Sequence, residues 1–183
     1  YEICACLVGS EMCIRDSATT KLAMTLTKVM AKFHGWRYYS PFLESLTFLG
    51  PYKKYDVTGK NAPKSWLTKD TDIVKAYYSN PKCTFKFSLN AYMGLFEAVY
   101  FDNQKKNIDK IPKELPVFIV SGEDDPVGDL GKGVKKVYQK FLQAGMKDVS
   151  CKLYKNDRHE ILNETDREQV YADLLGWMQK RIK

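Results

Sequence analysis

Residues 115–164 read LPVFIVSGEDDPVGDLGKGVKKVYQKFLQAGMKDVSCKLYKNDRHEILNE. Leu115–Gly122 is a short, nearly unbroken apolar run, the pattern of a strand buried on both faces in a parallel sheet. Pro116 is tolerable there because it stands at the start of the strand. The next segment, 131–145, places Val134, Val137, Tyr138, Phe141 and Leu142 on one face of a helix, with Gly145 as its C-cap. A second strand follows at Val149–Lys155. An amphipathic helix over Thr165–Ile182 closes the chain, with Thr165 and Glu168 spaced as a capping box. Strand, helix, strand, helix in this order predicts a right-handed βαβ unit. It reads as the edge of a doubly wound sheet whose other strands are missing from the chain.

Such sheets carry function in the loops beyond the carboxyl ends of their strands. Asp125, in SGEDDPVG, follows the first strand, and His159, in NDRHEILNE, follows the second. Adjacent parallel strands bring those loops side by side. An Asp next to a His fixes the imidazole tautomer and stabilises the imidazolium, as acyl transfer by a Ser-His-Asp system requires. Taken singly, each residue has a plainer reading. An Asp after a strand is often a turn former, a task Asp124 can share, and a loop His is often surface polarity. His34, before Gly35 at a helix end, is read as a dipole-complementing cation with no catalytic role. Glu160, Asn163 and Glu164 are read as fixing the His159 loop and capping the last helix.

Upstream, the pattern is helical. Helices are predicted over 21–33, stopped by Gly35, and over 40–49, where Ser40 caps, Pro41 opens, Glu44 completes the signature and Gly50 ends it. Residues 51–64 read as a loop. A third helix covers 68–78, with Asp70 and Asp72 in its first turn, and is broken by Asn80-Pro81. A long aromatic fourth helix over 84–101 is expected to pack against the sheet rather than to form a cofactor site. The predicted domains are residues 18–107, a helical region, and 108–183, the sheet-bearing core.

The chain has 183 residues, 44% of them hydrophobic, enough for one domain with a real core. Its net charge of +7 comes from lysines dispersed along the chain, so a basic soluble surface is favoured over a nucleic-acid groove. No apolar run reaches the roughly 18–20 residues of a membrane span.

The opening YEICACLVGSEMCIRDS holds three of the five cysteines. It lacks the basic start and long apolar run of a signal peptide and the paired ligands of a zinc knuckle. LVGSEMCIRD, residues 7–16, matches one frame of a synthetic transposase adapter, CTC-GTG-GGC-TCG-GAG-ATG-TGT-ATA-AGA-GAC. The flanking adapter bases fit Cys6 and Ser17, and an index-adapter end, TAC-GAG-AT, fits Tyr1-Glu2-Ile3. Residues 1–17 are therefore read as translated adapter and set aside from the fold. The segment carries one Arg against three acids, so the remainder is more basic still. Only Cys83 and Cys151 then remain. That suits a reducing, cytoplasmic setting better than a disulfide scaffold, although pairing between them stays open.

The stretches LPVFIVSGEDDPVGDLGKGVKKVYQKF and VSCKLYKNDRHEILNE resemble the α/β-hydrolase superfamily, in particular its lysophospholipase and monoacylglycerol-lipase-like, serine aminopeptidase S33-like branch. WLTKDTDIVKAYYSNPKC, residues 66–83, is the most cap-like part. The resemblance implies an α/β fold, with the last two parallel strands and their helices preceded by a helical cap. It puts the triad acid on Asp125 and the base on His159. The family's Gly-x-Ser-x-Gly nucleophile turn has no counterpart here: Ser10 lies in the adapter segment and Ser121 ends a strand. The resemblance therefore implies a truncated serine hydrolase acting on a carboxylic ester, a monoacylglycerol or lysophospholipid, inactive by itself for want of its serine. It implies no metal or organic cofactor, a small acyl ester as partner, peripheral contact with lipid and no nucleic acid. The competing reading is a non-catalytic hydrolase-fold module that binds a lipid or a protein.

Overall fold

The computed structural model describes residues 17–182. The adapter reading of residues 1–17 lies outside the described residues, except that Ser17 begins the first helix.

The predicted βαβ unit is present. β1 (Val117–Gly122) pairs in parallel with β2 (Val149–Tyr154), in the register Val117 with Val149 through Gly122 with Tyr154. Side chains alternate across the sheet, and both faces are covered, which explains the unbroken apolar run. On one face Val117 and Ile119 pack with Val134 and Val137 of α6 (Lys132–Gln143) and with Met146. Leu142, expected on that buried face, sits at its margin and is 39% exposed. On the other face Phe118 stacks on Trp177, 5.6 Å between ring centroids, and Val120 joins Tyr154, Ile161 and Val170. Trp177 and Val170 belong to α7 (Arg167–Gln179).

The capping box at the start of α7 is not formed. The helix begins at Arg167 after Asp166, with no side-chain cap. The Glu164 carboxylate just upstream turns inward to bond Arg158 N and Lys69 N, so the chain entering α7 is committed to the preceding loop.

The helical region has its own core. α1 (Ser17–His34), α2 (Pro41–Thr47) and α4 (Leu89–Asp102) bury Ala31, Leu43, Leu89, Tyr92 and Phe96 together. Ser40 caps α2 as expected, its Oγ accepting from Leu43 N at 3.1 Å. Glu44 does not close a capping box; it takes the Tyr39 hydroxyl instead. α2 ends at Thr47, and Gly50 (φ +71°) opens a 3-10 turn over Gly50–Lys54 rather than ending the helix. A second such turn, Ala62–Lys64, interrupts the expected loop.

α3 (Thr71–Ser79) starts later than predicted because Asp70 is its cap, accepting from Asp72 N and Ile73 N at 3.1 and 3.2 Å. α4 is shorter than predicted: Ser88 bridges Tyr39 in antiparallel fashion, which holds the chain ahead of it extended. α4 packs on α1 and α2 rather than on the sheet. A short α5 (Lys105–Ile108), not predicted, leads toward β1.

Candidate active site

β1 delivers Asp125. The residue is 2% exposed and fully engaged: Oδ1 accepts from Val127 N at 2.8 Å, and Oδ2 lies 3.4 Å from Ser121 Oγ. Its carbonyl accepts from Leu130 N at 2.8 Å, which folds the loop back on itself. β2 delivers His159, whose Nδ1 lies 3.3 Å from Asp125 Oδ2. That is the long end of hydrogen-bond distance.

Gly122 makes the approach possible. A Cβ there would sit 2.2 Å from the backbone carbonyl oxygens of both Asp157 and Arg158. Only glycine lets the His159 loop cross the end of β1 this closely. The crossing is stitched by Glu123 N to Tyr154 O and Asp124 N to Asp157 O, both 2.8 Å.

The His159 loop is held from beneath by buried charge. Glu164 is fully buried and accepts from Arg158 N at 2.8 Å and Lys69 N at 3.0 Å. Asn163 Nδ2 donates to Glu160 Oε2 at 2.5 Å. The Lys69 ammonium lies 2.7 Å from buried Asp157, 3.8 Å from Glu164 and 3.7 Å from Asp166. Asp157, Glu164 and Asp166 have metal-like spacing, but the ammonium of Lys69 lies among them. Burial opposes the charge on Lys69, yet the Asp157 hydrogen bond and the three carboxylates outweigh it and hold its pKa above 10.5. Burial raises the Asp157 carboxyl above its ordinary value, against the pull of Lys69.

Ser121 Oγ faces Asp125 and the Gly122 carbonyl, not His159. Among the described residues none is hydrogen-bonded to His159 Nε2. His34 stacks on Tyr38 far along the chain from this pair. Cys83 and Cys151 are both free thiols, and burial pushes Cys151 up.

Among the described residues a cavity of about 500 Å³ lies between the helical region and the loop that follows Asp125. Leu26, Leu43, Phe96 and Val99 of the helical region line it, together with Pro126 and Val127, the two residues after Asp125. Trp66, Lys69, Arg158 and Tyr55 were not singled out from sequence. Trp66 stands with its ring centroid 5.1 Å from that of His159, and Tyr55 donates its hydroxyl to Asp124 O at 2.6 Å. No local pattern marks either residue. Among the described residues no helix is long and apolar enough to cross a membrane.

The family model described as serine aminopeptidase, S33, matches residues 4–166, starting inside the segment read as adapter. Comparison with curated proteins finds no match. Among solved structures, a highly thermostable carboxyl esterase from Bacillus coagulans in complex with glycerol is similar at a TM-score of 0.69 and 23% identity, over 88% of this chain and 52% of that one. A lipase in its open form gives 0.68 and 24%, over 91% and 51%. A soluble variant of monoglyceride lipase from Saccharomyces cerevisiae, in complex with a substrate analog, gives 0.57 and 22%, over 91% and 51%. The chain thus has the α/β-hydrolase fold of these proteins and spans about half their length.

Proposed function

Because the chain belongs to the serine aminopeptidase, S33, family, we propose that it is part of a serine hydrolase of carboxylic esters in which Asp125 is the acid and His159 the base. The observation that carries this is the Asp125–His159 pair, 3.3 Å apart at the carboxyl ends of adjacent parallel strands. The nucleophilic serine comes from a part of the protein outside the described residues. His159 Nε2 takes the serine proton as the hydroxyl attacks the ester carbonyl and returns it to the leaving alcohol. In the second half it takes a proton from the water that releases the acid. Asp125 keeps the Nδ1 proton in place and offsets the positive charge that forms on the ring. Backbone N–H groups outside this chain's described residues form the oxyanion hole.

The largely apolar cavity lined by Pro126 and Val127 has the size of a small-molecule pocket. It supports a substrate with one fatty acyl chain, a monoacylglycerol or lysophospholipid. The esterase and monoglyceride lipase among the structural neighbours favour an ester over a peptide. No step calls for a metal or organic cofactor. The helical region acts as the cap over the acyl pocket, contact with lipid is peripheral, and the free thiols suit the cytoplasm.

A serine-directed fluorophosphonate probe tests the assignment. The chain by itself should stay unlabelled. The protein extended to include a Gly-x-Ser-x-Gly turn should be labelled and should hydrolyse monoacylglycerol, and Asp125→Asn should lower its kcat by about 10⁴-fold. Labelling of the chain alone would misplace the nucleophile. A full gene with Gly or Ala at the elbow would favour a binding module instead.

A further inference from the structure

The His159 loop is gripped by a segment about ninety residues away. Glu160 N donates to Leu67 O at 2.8 Å, and His159 N to Trp66 O at 3.5 Å. The Arg158 guanidinium donates to three carbonyls of the same segment: Ser65 O at 2.5 Å, Pro63 O at 3.1 Å and Thr68 O at 3.2 Å. Glu164 answers from the loop side by accepting from Lys69 N. Segment and loop are thus bonded to each other by both backbones and by side chains from each.

This grip ends on the imidazole itself. The Trp66 ring is tilted 36° to that of His159, with centroids 5.1 Å apart. Trp66 is fixed in turn by its Nε1, which donates to Tyr78 Oη at 3.1 Å, and by an edge contact with Tyr52 at 5.7 Å. A single hydrogen bond from Nδ1 to Asp125 leaves the imidazole free to swing about that bond. A second support on the ring face removes this freedom, which a base needs if Nε2 is to point at one place.

We propose that residues 63–69 form a positioning strap for His159. Trp66 is the wall that holds the imidazole plane against Asp125, and Arg158 is the residue that ties the strap to the loop. This rests on the reading of His159 as the base. Trp66 and Arg158 act through His159 and are positioning residues. Arg158 suits its task because a planar guanidinium serves several fixed carbonyls at once, which a lysine ammonium on a flexible stem does not.

The test is proton NMR of the full chain, following the downfield Nδ1 proton shared between His159 and Asp125. Asp125→Asn assigns it by abolishing it. Trp66→Phe, which keeps a wall, should retain the signal. Trp66→Ala and Arg158→Lys should lose it to exchange, while the amide signals of β1, α6 and β2 stay in place. Should Trp66→Ala unfold the chain, Arg158→Lys carries the test. A signal unchanged in Arg158→Lys, with the fold intact, would overturn the strap. A wild-type chain with no such signal would instead overturn the acid–base pairing, and the strap with it.

Discussion

Lys69→Met tests how the loop carrying His159 is held. Asp157 and Glu164 are fully buried, and the Lys69 side chain is 27% exposed. Removing one partner of a buried ion pair costs about 3–5 kcal/mol because the other charge is left uncompensated. Water at the partly open Lys69 position replaces some of that loss, so we expect about 2–3 kcal/mol near neutral pH. The cost should depend on pH. Burial already raises the Asp157 carboxyl above 3.8, Lys69 pulls it down, and Asp166 and Glu164 push it up. Methionine removes the pull, so the folded-state value rises further. A carboxyl whose folded value lies above its unfolded one stabilises the fold below the unfolded value and loses that contribution as pH rises through the folded one. Lys69, held above 10.5, contributes fully below 10.5 and stays charged across this range. The deficit of Lys69→Met relative to wild type should therefore be largest at about pH 8 and shrink toward about pH 5. Urea unfolding at both values measures it. Adding Asp157→Asn, which removes the stranded charge, should recover part of the loss at the higher pH. A deficit under about 0.5 kcal/mol, the level of an exposed pair, or one that does not change with pH, would refute the view that Lys69 neutralises buried charge.

Two glycines should respond in opposite directions. Gly122→Ala places a Cβ 2.2 Å from two backbone oxygens that cannot rotate away; it should lower stability by about 3 kcal/mol and abolish the shared Nδ1 proton signal. Gly94→Ala, in α4 with nothing within 4 Å of the new Cβ, should raise stability by about 0.5–1 kcal/mol through better helix propensity. Urea midpoints read both, and a Gly122→Ala chain as stable as wild type would mean the loop crosses less tightly than described.

The βαβ unit was legible because its signals are local. Val117, Ile119 and Val120 need cover on both sheet faces, and the spacing of Val134 and Val137 announces a helix that supplies one of them. The pairing of Asp125 with His159 followed from topology, since parallel neighbours place their carboxyl ends together. Errors arose where a local signal met a distant competitor. Thr165 and Glu168 have capping-box spacing, but Glu164 is drawn inward by Lys69 N and Arg158 N, and the helix starts without the box. Residues 84–88 belong to the aromatic, apolar run read as the fourth helix, but Ser88 bridges Tyr39 instead.

Short-range pattern alone determined the strand, helix, strand, helix order from residue 117 onward, the parallel sheet and the two residues at its carboxyl edge. Only the tertiary structure decided what holds His159 in place: Trp66 against its ring, Arg158 across the carbonyls of residues 63, 65 and 68, and Lys69 among buried carboxylates. These contacts join residues about ninety positions apart. They follow no repeat of 2 or 3.6, and buried charges find their partners only when the chain has closed around them.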